Sequence, residues 1–463
     1  MQLTRRGRVR VTVGIAVGVL QVWCLPAPAG SANDAPASVN PESPCGLDYY
    51  AQGGVVVDGV AYFTANDHSR RKGVKRTEDF PCVVAFDVHT FKKIRAYDFT
   101  YTYDSSPLVF QKKNGAWLVI AHEHKKARTV ARHRDSGKVA WVSAANQPGA
   151  YFFGYTYFAR NDGSKLLLAS CRNGLHALSS ETGEDVWWVK RTGTGGVTPC
   201  VDQRAGLVFY QSNGKVLKIR AADGKVLEEV NVPPPNVCIS WNTVLIDDAH
   251  GYFIATRWYG KPEWDSAIRV YDKNLKLVWE RTGLPNGKKD TLTYAEGKLV
   301  CGSGNGWSKK YTGNTWKHIA AYSIADGKIA WKCDLSRFDY TAIGNLPYFN
   351  GCFYGENGGS PPQTTKCFRI NATTGKLEEV YDYGRMITSC ATHIMAHGKI
   401  FSGDLWQDGI VVTKFAEGSS AEWPGPFGDP QTHQMAIPHD RGAKRIPIKE
   451  IARPGPPASN DRR

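Results

Sequence analysis

LHALSSETGEDVWW (175–188) and IAAYSIADGKIAW (319–331) share one grammar: an alternating apolar run, a polar turn closed by Gly183 or Gly327, then a short run ending on tryptophan. Alternation at period two marks a half-buried strand, and a Thr-Gly or Asp-Gly turn between two such runs marks a hairpin. The grammar recurs in VVAFDVHTFKKIRAY (83–97), TVARHRDSGKVAW (129–141), VLKIRAADGKVLEEV (216–230), IRVYDKNLKLVWE (268–280) and FRINATTGKLEEV (368–380), with a weaker copy in GIVVTKFAEGS (409–419). The turn residues Gly137, Gly183, Gly224, Leu275, Gly327 and Gly375 fall 46, 41, 51, 52 and 48 residues apart. A period in the forties made of strands and tight turns is that of propeller blades.

Working outward, each unit resolves into four antiparallel strands, clearest in the fourth: GGVTPCVD, GLVFYQS, KVLKIRAA and VLEEVNV, labelled A to D from the inside outward. The first unit begins at GGVVVDGVAYFTAND and the last inner pair lies in ITSCATHIMAHGKIFSGD. The expected fold is all-β, a single β-propeller of eight four-stranded blades, with seven blades plus a partial one as the alternative count. The last unit lacks an outer strand after GIVVTKFAEG, so the segment just before Gly53 is expected to close the ring and remove an open sheet edge. The expected divisions are a signal peptide (1–32), a ring-closing segment (33–52), the propeller (53–417), and a C-terminal extension with a basic tail (418–463).

The 463 residues, 42% hydrophobic and 11% aromatic, suffice for a large core, and the uninterrupted repeat argues for one domain. Arg5, Arg6, Arg8 and Arg10 precede the apolar run Val11–Trp23 and the small residues Ala27-Pro28-Ala29, the layout of a cleaved export signal too short to span a bilayer. Sec and twin-arginine export both stay open, and a periplasmic or secreted mature protein is expected. Losing those arginines lowers the formal charge from +15 to +11. That excess favours anionic partners, and in an exported propeller nucleic acid is not among them. The ten cysteines beyond Cys24 form no CxxC, CxxCH or adjacent pair, which removes zinc-ribbon, attached-haem and thioredoxin chemistry.

ALSSETGEDVW, YSIADGKIAW and RHRDSGKVAW resemble the tryptophan-docking repeat of PQQ-like, quinoprotein-type propellers over most of residues 53–417. The resemblance implies the fold; the family includes both dehydrogenases and cofactor-free scaffolds, so it leaves the activity open. Dehydrogenases of this type hold PQQ on the axis with calcium, many above two adjacent half-cystines. This chain has no Cys-Cys and no matching calcium constellation; Asp104, Asn242, Asn345 and Asp404 are hard-oxygen donors better read as turn and strand-end residues. No cofactor is expected, PQQ with calcium included, and no metal.

Insertions into a repeat usually mark the functional face. Here they lie in the B–C connections: 66–81, 257–266, 305–318 and 356–365. All emerge on the face of the D–A connections, as do the ends of the neighbouring B strands, His122-Glu123-His124-Lys125-Lys126, Arg172-Asn173 and Asp404-Leu405-Trp406. Cations (Arg70, Arg71, Lys125, Lys126, Arg172, Arg257, Lys261, Lys309, Lys310) and aromatic residues gather there. Trp258, Trp264, Trp307, Tyr311, Trp316 and Trp406 are the candidate ligand-binding platforms, since sugar C–H faces stack on aromatic rings while uronate or sulfate groups pair with Arg and Lys.

The candidate catalytic residues are His122, His124, Tyr155, Arg172, Arg257 and Tyr259. At i and i+2 on a strand, His122 and His124 project to one side. β-Elimination on a uronate needs a cation on the carboxylate, a base for the C5 proton and an acid for the leaving oxygen. Arg172 or Arg257 would neutralise, His122 or His124 would take the proton, and Tyr155 or Tyr259 would give one. These parts resemble the sites of propeller-fold ulvan lyases, without a family motif to align. The bland alternative is packing and solubility. The sequence thus points first to binding an acidic polysaccharide on the B–C face, with a polysaccharide lyase or an envelope scaffold for another protein as alternatives. The molecule is expected to be monomeric and not membrane-spanning.

Overall fold

The alternating runs form strands as their pattern demands. The computed structural model describes residues 37–39, 50–66, 81–90, 92–100, 106–144, 146–147, 155–191, 197–233, 238–259, 266–284, 292–301, 318–338, 346–356, 366–382, 394–396, 399–404 and 409–414. All belong to the unit that begins at Pro36. The expected signal peptide (1–32) and C-terminal extension (418–463) lie outside them.

Among the described residues eight four-stranded antiparallel sheets follow one another, the first seven each a meander in sequence order. Blade one is Tyr50–Val57, Val60–Asn66, Pro81–Asp87 and Lys93–Asp98. Blade two is Leu108–Gln111, Trp117–Glu123, Arg128–His133 and Val139–Val142. Blade three is Thr156–Ala159, Lys165–Cys171, Gly174–Ser179 and Asp185–Lys190. Blade four runs from Cys200–Asp202 to Val226–Asn231, blade five from Cys238–Asp248 to Leu277–Leu284, blade six from Leu292–Ala295 to Ile329–Asp334, and blade seven from Tyr348–Phe349 to Leu377–Asp382. In the eighth sheet Ala37–Val39 pairs antiparallel with Gly409–Lys414 and so supplies the outer strand from the opposite end of the chain. The innermost strand of blade one in turn packs against the strands of the eighth sheet. The fold is a β-propeller of eight blades.

The turn glycines are explained by what lies on them. Gly137, Gly183, Gly224, Gly327 and Gly375 all have φ between 66° and 77°, the left-handed region that a side chain disfavours. Each closes a C–D hairpin whose register shifts by a bulge. Four of them also have a tryptophan of the preceding blade against the α-carbon. A Cβ at Gly183, Gly224, Gly327 or Gly375 would come within 2.3, 2.7, 2.6 or 2.6 Å of Trp141, Trp187, Trp279 or Trp331, respectively.

Each of these indoles donates its N–H to the carbonyl three residues before the glycine it covers: Trp141 to Ser180 at 3.0 Å, Trp187 to Ala221 at 2.9 Å, Trp279 to Ile324 at 2.6 Å and Trp331 to Ala372 at 2.8 Å. The repeat is therefore a latch from blade to blade, apolar body buried and polar edge satisfied. The exception obeys the same logic. Blade four offers Glu228 instead of tryptophan, and the blade-five turn bears Leu275 at φ 54°, its side chain buried in the cluster with Phe209 and Val216 of blade four. The remaining core is built likewise, of apolar rows shared by adjacent sheets.

Candidate functional site

The antiparallel meander sends every B–C hairpin and D–A connection to one end of the sheets. On blades two and three that end is described in detail. The B strand of blade two stops at Glu123, so His124, Lys125 and Lys126 lie in the turn. The i, i+2 pair expected of His122 and His124 is split by that ending: His122 is buried on the strand and His124 half-buried on the turn. Glu123 is buried too, and its carboxylate accepts from Arg128 Nε at 2.6 Å and from the Thr100 amide at 2.8 Å. Lys125, Lys126 and Arg172 are exposed. Lys126 also reaches Thr100 Oγ1 at 2.8 Å, which holds its stem along the surface.

His122 continues the row of Leu118 and Ile120, which packs on Tyr155, Ala169 and Cys171 of blade three. Its strand partner is Thr129, whose hydroxyl donates to Gln147 Oε1 at 2.7 Å and lies 3.2 Å from the Tyr155 hydroxyl. His122 and Tyr155 are thus brought into one polar layer between blades two and three, but beneath the surface. Burial, with smaller contributions from the nearby His124 and His176, pushes His122 down to about 3. Burial pushes the Tyr155 hydroxyl well above its ordinary range, and likewise the Cys171 thiol. Groups in this state are neutral at pH 7 and far from the poise of an acid–base pair.

Arg257 lies three blades away in blade five, fully buried, with Nη2 at 3.4 Å from Ser266 Oγ. Of the described candidates, His122, Tyr155 and Arg257 are therefore all buried, and Arg257 stands apart from the other two. Trp258 is no exposed platform either. It is fully buried, packs with Leu245 and Ile254, and donates its indole N–H to Thr256 Oγ1 at 2.7 Å. Tyr259 ends its strand in register with Cys238 and Ser266. Trp264, Trp307, Tyr311, Trp316 and Trp406 lie outside the described residues, as do Asp104 and Asn345. Among the described residues no group of three or more His, Cys, Asp and Glu is placed to hold a metal ion, and no helix is long and apolar enough to cross a membrane.

Sequence reasoning missed a second set of residues on blade three. His176, fully buried, faces Trp188 across the C–D pair, rings stacked with centroids 4.9 Å apart and 17° between planes. Its Nδ1 lies 3.0 Å from Asp185 Oδ1 and its Nε2 3.0 Å from Asn173 Oδ1. Asn146 donates to Asp185 Oδ2 at 2.6 Å, while Asn173 donates to the Asn146 carbonyl at 2.8 Å. Burial raises the Asp185 carboxyl, but the His176 and Asn146 hydrogen bonds outweigh it and leave the group below its usual value. The signal in the sequence was the doubled tryptophan of VWW: Trp187 latches blade four, and Trp188, one residue on, must face the other way.

A family model described as outer membrane protein assembly factor BamB, of the PQQ-like type, matches residues 115–249. Among curated proteins none matches the sequence. The chain superposes on the computationally designed protein Ika8 with a TM-score of 0.56 at 11% identity, covering 82% of this chain and 99% of that one. On Sqt1 from Chaetomium thermophilum the TM-score is 0.57 at 8% identity, covering 82% and 98%. BamB from Moraxella catarrhalis aligns over 66% of this chain and 82% of its own, with 15% identity and a TM-score of 0.43. At these identities the superpositions speak to fold alone. The superpositions on Ika8 and Sqt1 agree with the β-propeller fold, and the PQQ-like repeat model is matched over residues 115–249.

Proposed function

We propose that this propeller is a binding module of the cell envelope that takes an acidic polysaccharide on the B–C end of blades two and three, without chemistry of its own. The observation that supports binding over catalysis is the division of polar side chains by depth. His122, Tyr155 and Arg257, three of the six candidate catalytic residues, are buried. Lys125, Lys126 and Arg172, which need only present charge, stand at the surface of adjacent blades. Three exposed cations on neighbouring turns suit a repeating anion better than a single small ligand, because each contact is weak and the sum is not. The export signal expected over 1–32 and the excess of basic residues agree with that setting. A second reading, docking of an envelope protein, is favoured by the family model's description as an assembly factor.

The test is binding of alginate, polygalacturonate and heparin by calorimetry, with dextran as the neutral control. Acidic chains are expected to bind with an affinity that falls as salt rises. The triple variant Lys125→Ala, Lys126→Ala, Arg172→Ala is expected to lose most of that salt dependence. Binding of dextran equal to that of the acidic chains, or no binding of any of them, overturns the proposal; a 235 nm absorbance rise during incubation overturns the non-catalytic part.

A further inference from the structure

Four tryptophans occupy the latch position four residues after a turn residue, and in the other three blades the residue that follows is Val142, Glu280 or Lys332. Only in blade three among these is it aromatic. Trp188 is also the one large aromatic side chain among the described residues that is substantially exposed, at 37%. A tryptophan outside the latch has no part in joining one blade to the next, and several features hold it in place. His176 lies flat beneath the ring, and the indole N–H donates to the Asn173 carbonyl at 3.1 Å, on the turn that carries Arg172. Gly174, at φ 132°, makes room for this fold-over; a Cβ there would lie 3.1 Å from the indole nitrogen and closer still to the Val189 carbonyl.

His176 in turn has an oxygen 3.0 Å from each ring nitrogen. The Asn173 amide nitrogen is engaged by the Asn146 carbonyl, so its oxygen is the atom facing His176 Nε2, while Asp185 holds Nδ1. The Lys190 ammonium stands over the indole, 4.8 Å from its centroid. Apolar ring face, cation and rigid backing are presented together, which is the chemistry of a charged pyranose: C–H groups for the ring, a carboxylate or sulfate for the amine.

We infer that Trp188, backed by the fixed His176 ring and flanked by Lys190, with Arg172 on the adjoining turn, is a stacking subsite for one uronate or sulfated sugar unit on blade three. The inference rests on the acidic-polysaccharide reading above and names its anchor. An arriving sugar draws the Lys190 ammonium off the ring onto its anionic group, and the vacated face takes the pyranose. Because Asp185, Asn146 and Asn173 fix the plane beforehand, little side-chain freedom is lost on binding.

The experiment is titration of the full mature chain with hexameric oligogalacturonate, oligoalginate and heparin-derived oligosaccharides, by calorimetry and tryptophan fluorescence. Trp188→Ala is expected to weaken binding about tenfold or more and Trp188→Phe, which keeps an aromatic face, to lose clearly less. Lys190→Gln is expected to weaken binding and flatten its salt dependence. Circular dichroism and melting of each variant confirm the fold. Wild-type binding that Trp188→Ala leaves unchanged overturns the subsite alone; absence of wild-type binding to all three overturns it together with the reading it rests on.

Discussion

Replacing Gly224 by alanine tests the latch directly. Two separate costs meet at this position. Its φ of 73° is left-handed, which costs a residue with a Cβ about 1–2 kcal/mol. The added methyl would also sit 2.7–2.9 Å from Cδ2, Cε3 and Cγ of Trp187, and the ring cannot move without breaking its bond to the Ala221 carbonyl. Overpacking of that kind costs about 1–3 kcal/mol more. The turn at Gly137 separates the two. Its φ is 72°, but blade one has no tryptophan above it, and a Cβ would meet only Arg95 at 3.6 Å. Gly137→Ala is therefore expected to cost the backbone part alone, about 1–2 kcal/mol, and Gly224→Ala about 2–5 kcal/mol. Urea unfolding, read as the midpoint and slope of the first transition, measures both. The decisive comparison repeats Gly224→Ala in a Trp187→Ala background, where its cost should fall to that of Gly137→Ala, a coupling of about 1–3 kcal/mol. Equal losses at the two glycines, or a Gly224→Ala cost indifferent to Trp187, would refute the latch.

Two further expectations concern residues the structure buries. His122, at about 3 when folded, binds its proton in the unfolded chain near pH 6.5, so between those values the unfolded state holds more protons and stability is lost as pH falls, by about 1.4 kcal/mol per unit. Above pH 6.5 this contribution is flat. Urea midpoints at pH 7 and 4.5 should converge in His122→Leu, and an unchanged pH dependence would contradict the buried neutral imidazole. Trp258→Ala should cost about 3–5 kcal/mol of stability while leaving oligosaccharide affinity as it was. Lost affinity in a variant that still melts cooperatively would return Trp258 to the binding face.

What was legible in the sequence is what repeats. A latch needs glycine under the indole and tryptophan four residues beyond each turn, and these two constraints write the period that identifies the blades. Leu275 strengthens the rule it breaks: with Glu228 in place of the preceding tryptophan, no ring covers the turn, and a leucine fills the apolar space instead. The candidate site was harder to read because depth is set by the neighbouring blade, which local sequence does not contain. His122, Tyr155 and Arg257 looked reactive for their chemistry, yet parity along the strand aims His122 at the apolar row of blade three, and Tyr155 meets the Thr129 hydroxyl there. Trp187 and Trp188 both read as blade wedges when parity is ignored, and parity is what separates them. Counting four from Gly183 assigns Trp187 to the latch, and alternation then obliges Trp188 to face outward. An outward tryptophan held by a buried histidine presents a fixed apolar face to solvent, the face the proposed sugar would cover. In a repeat protein the residue that the repeat does not require is the better guide to function than the residue whose chemistry looks most active.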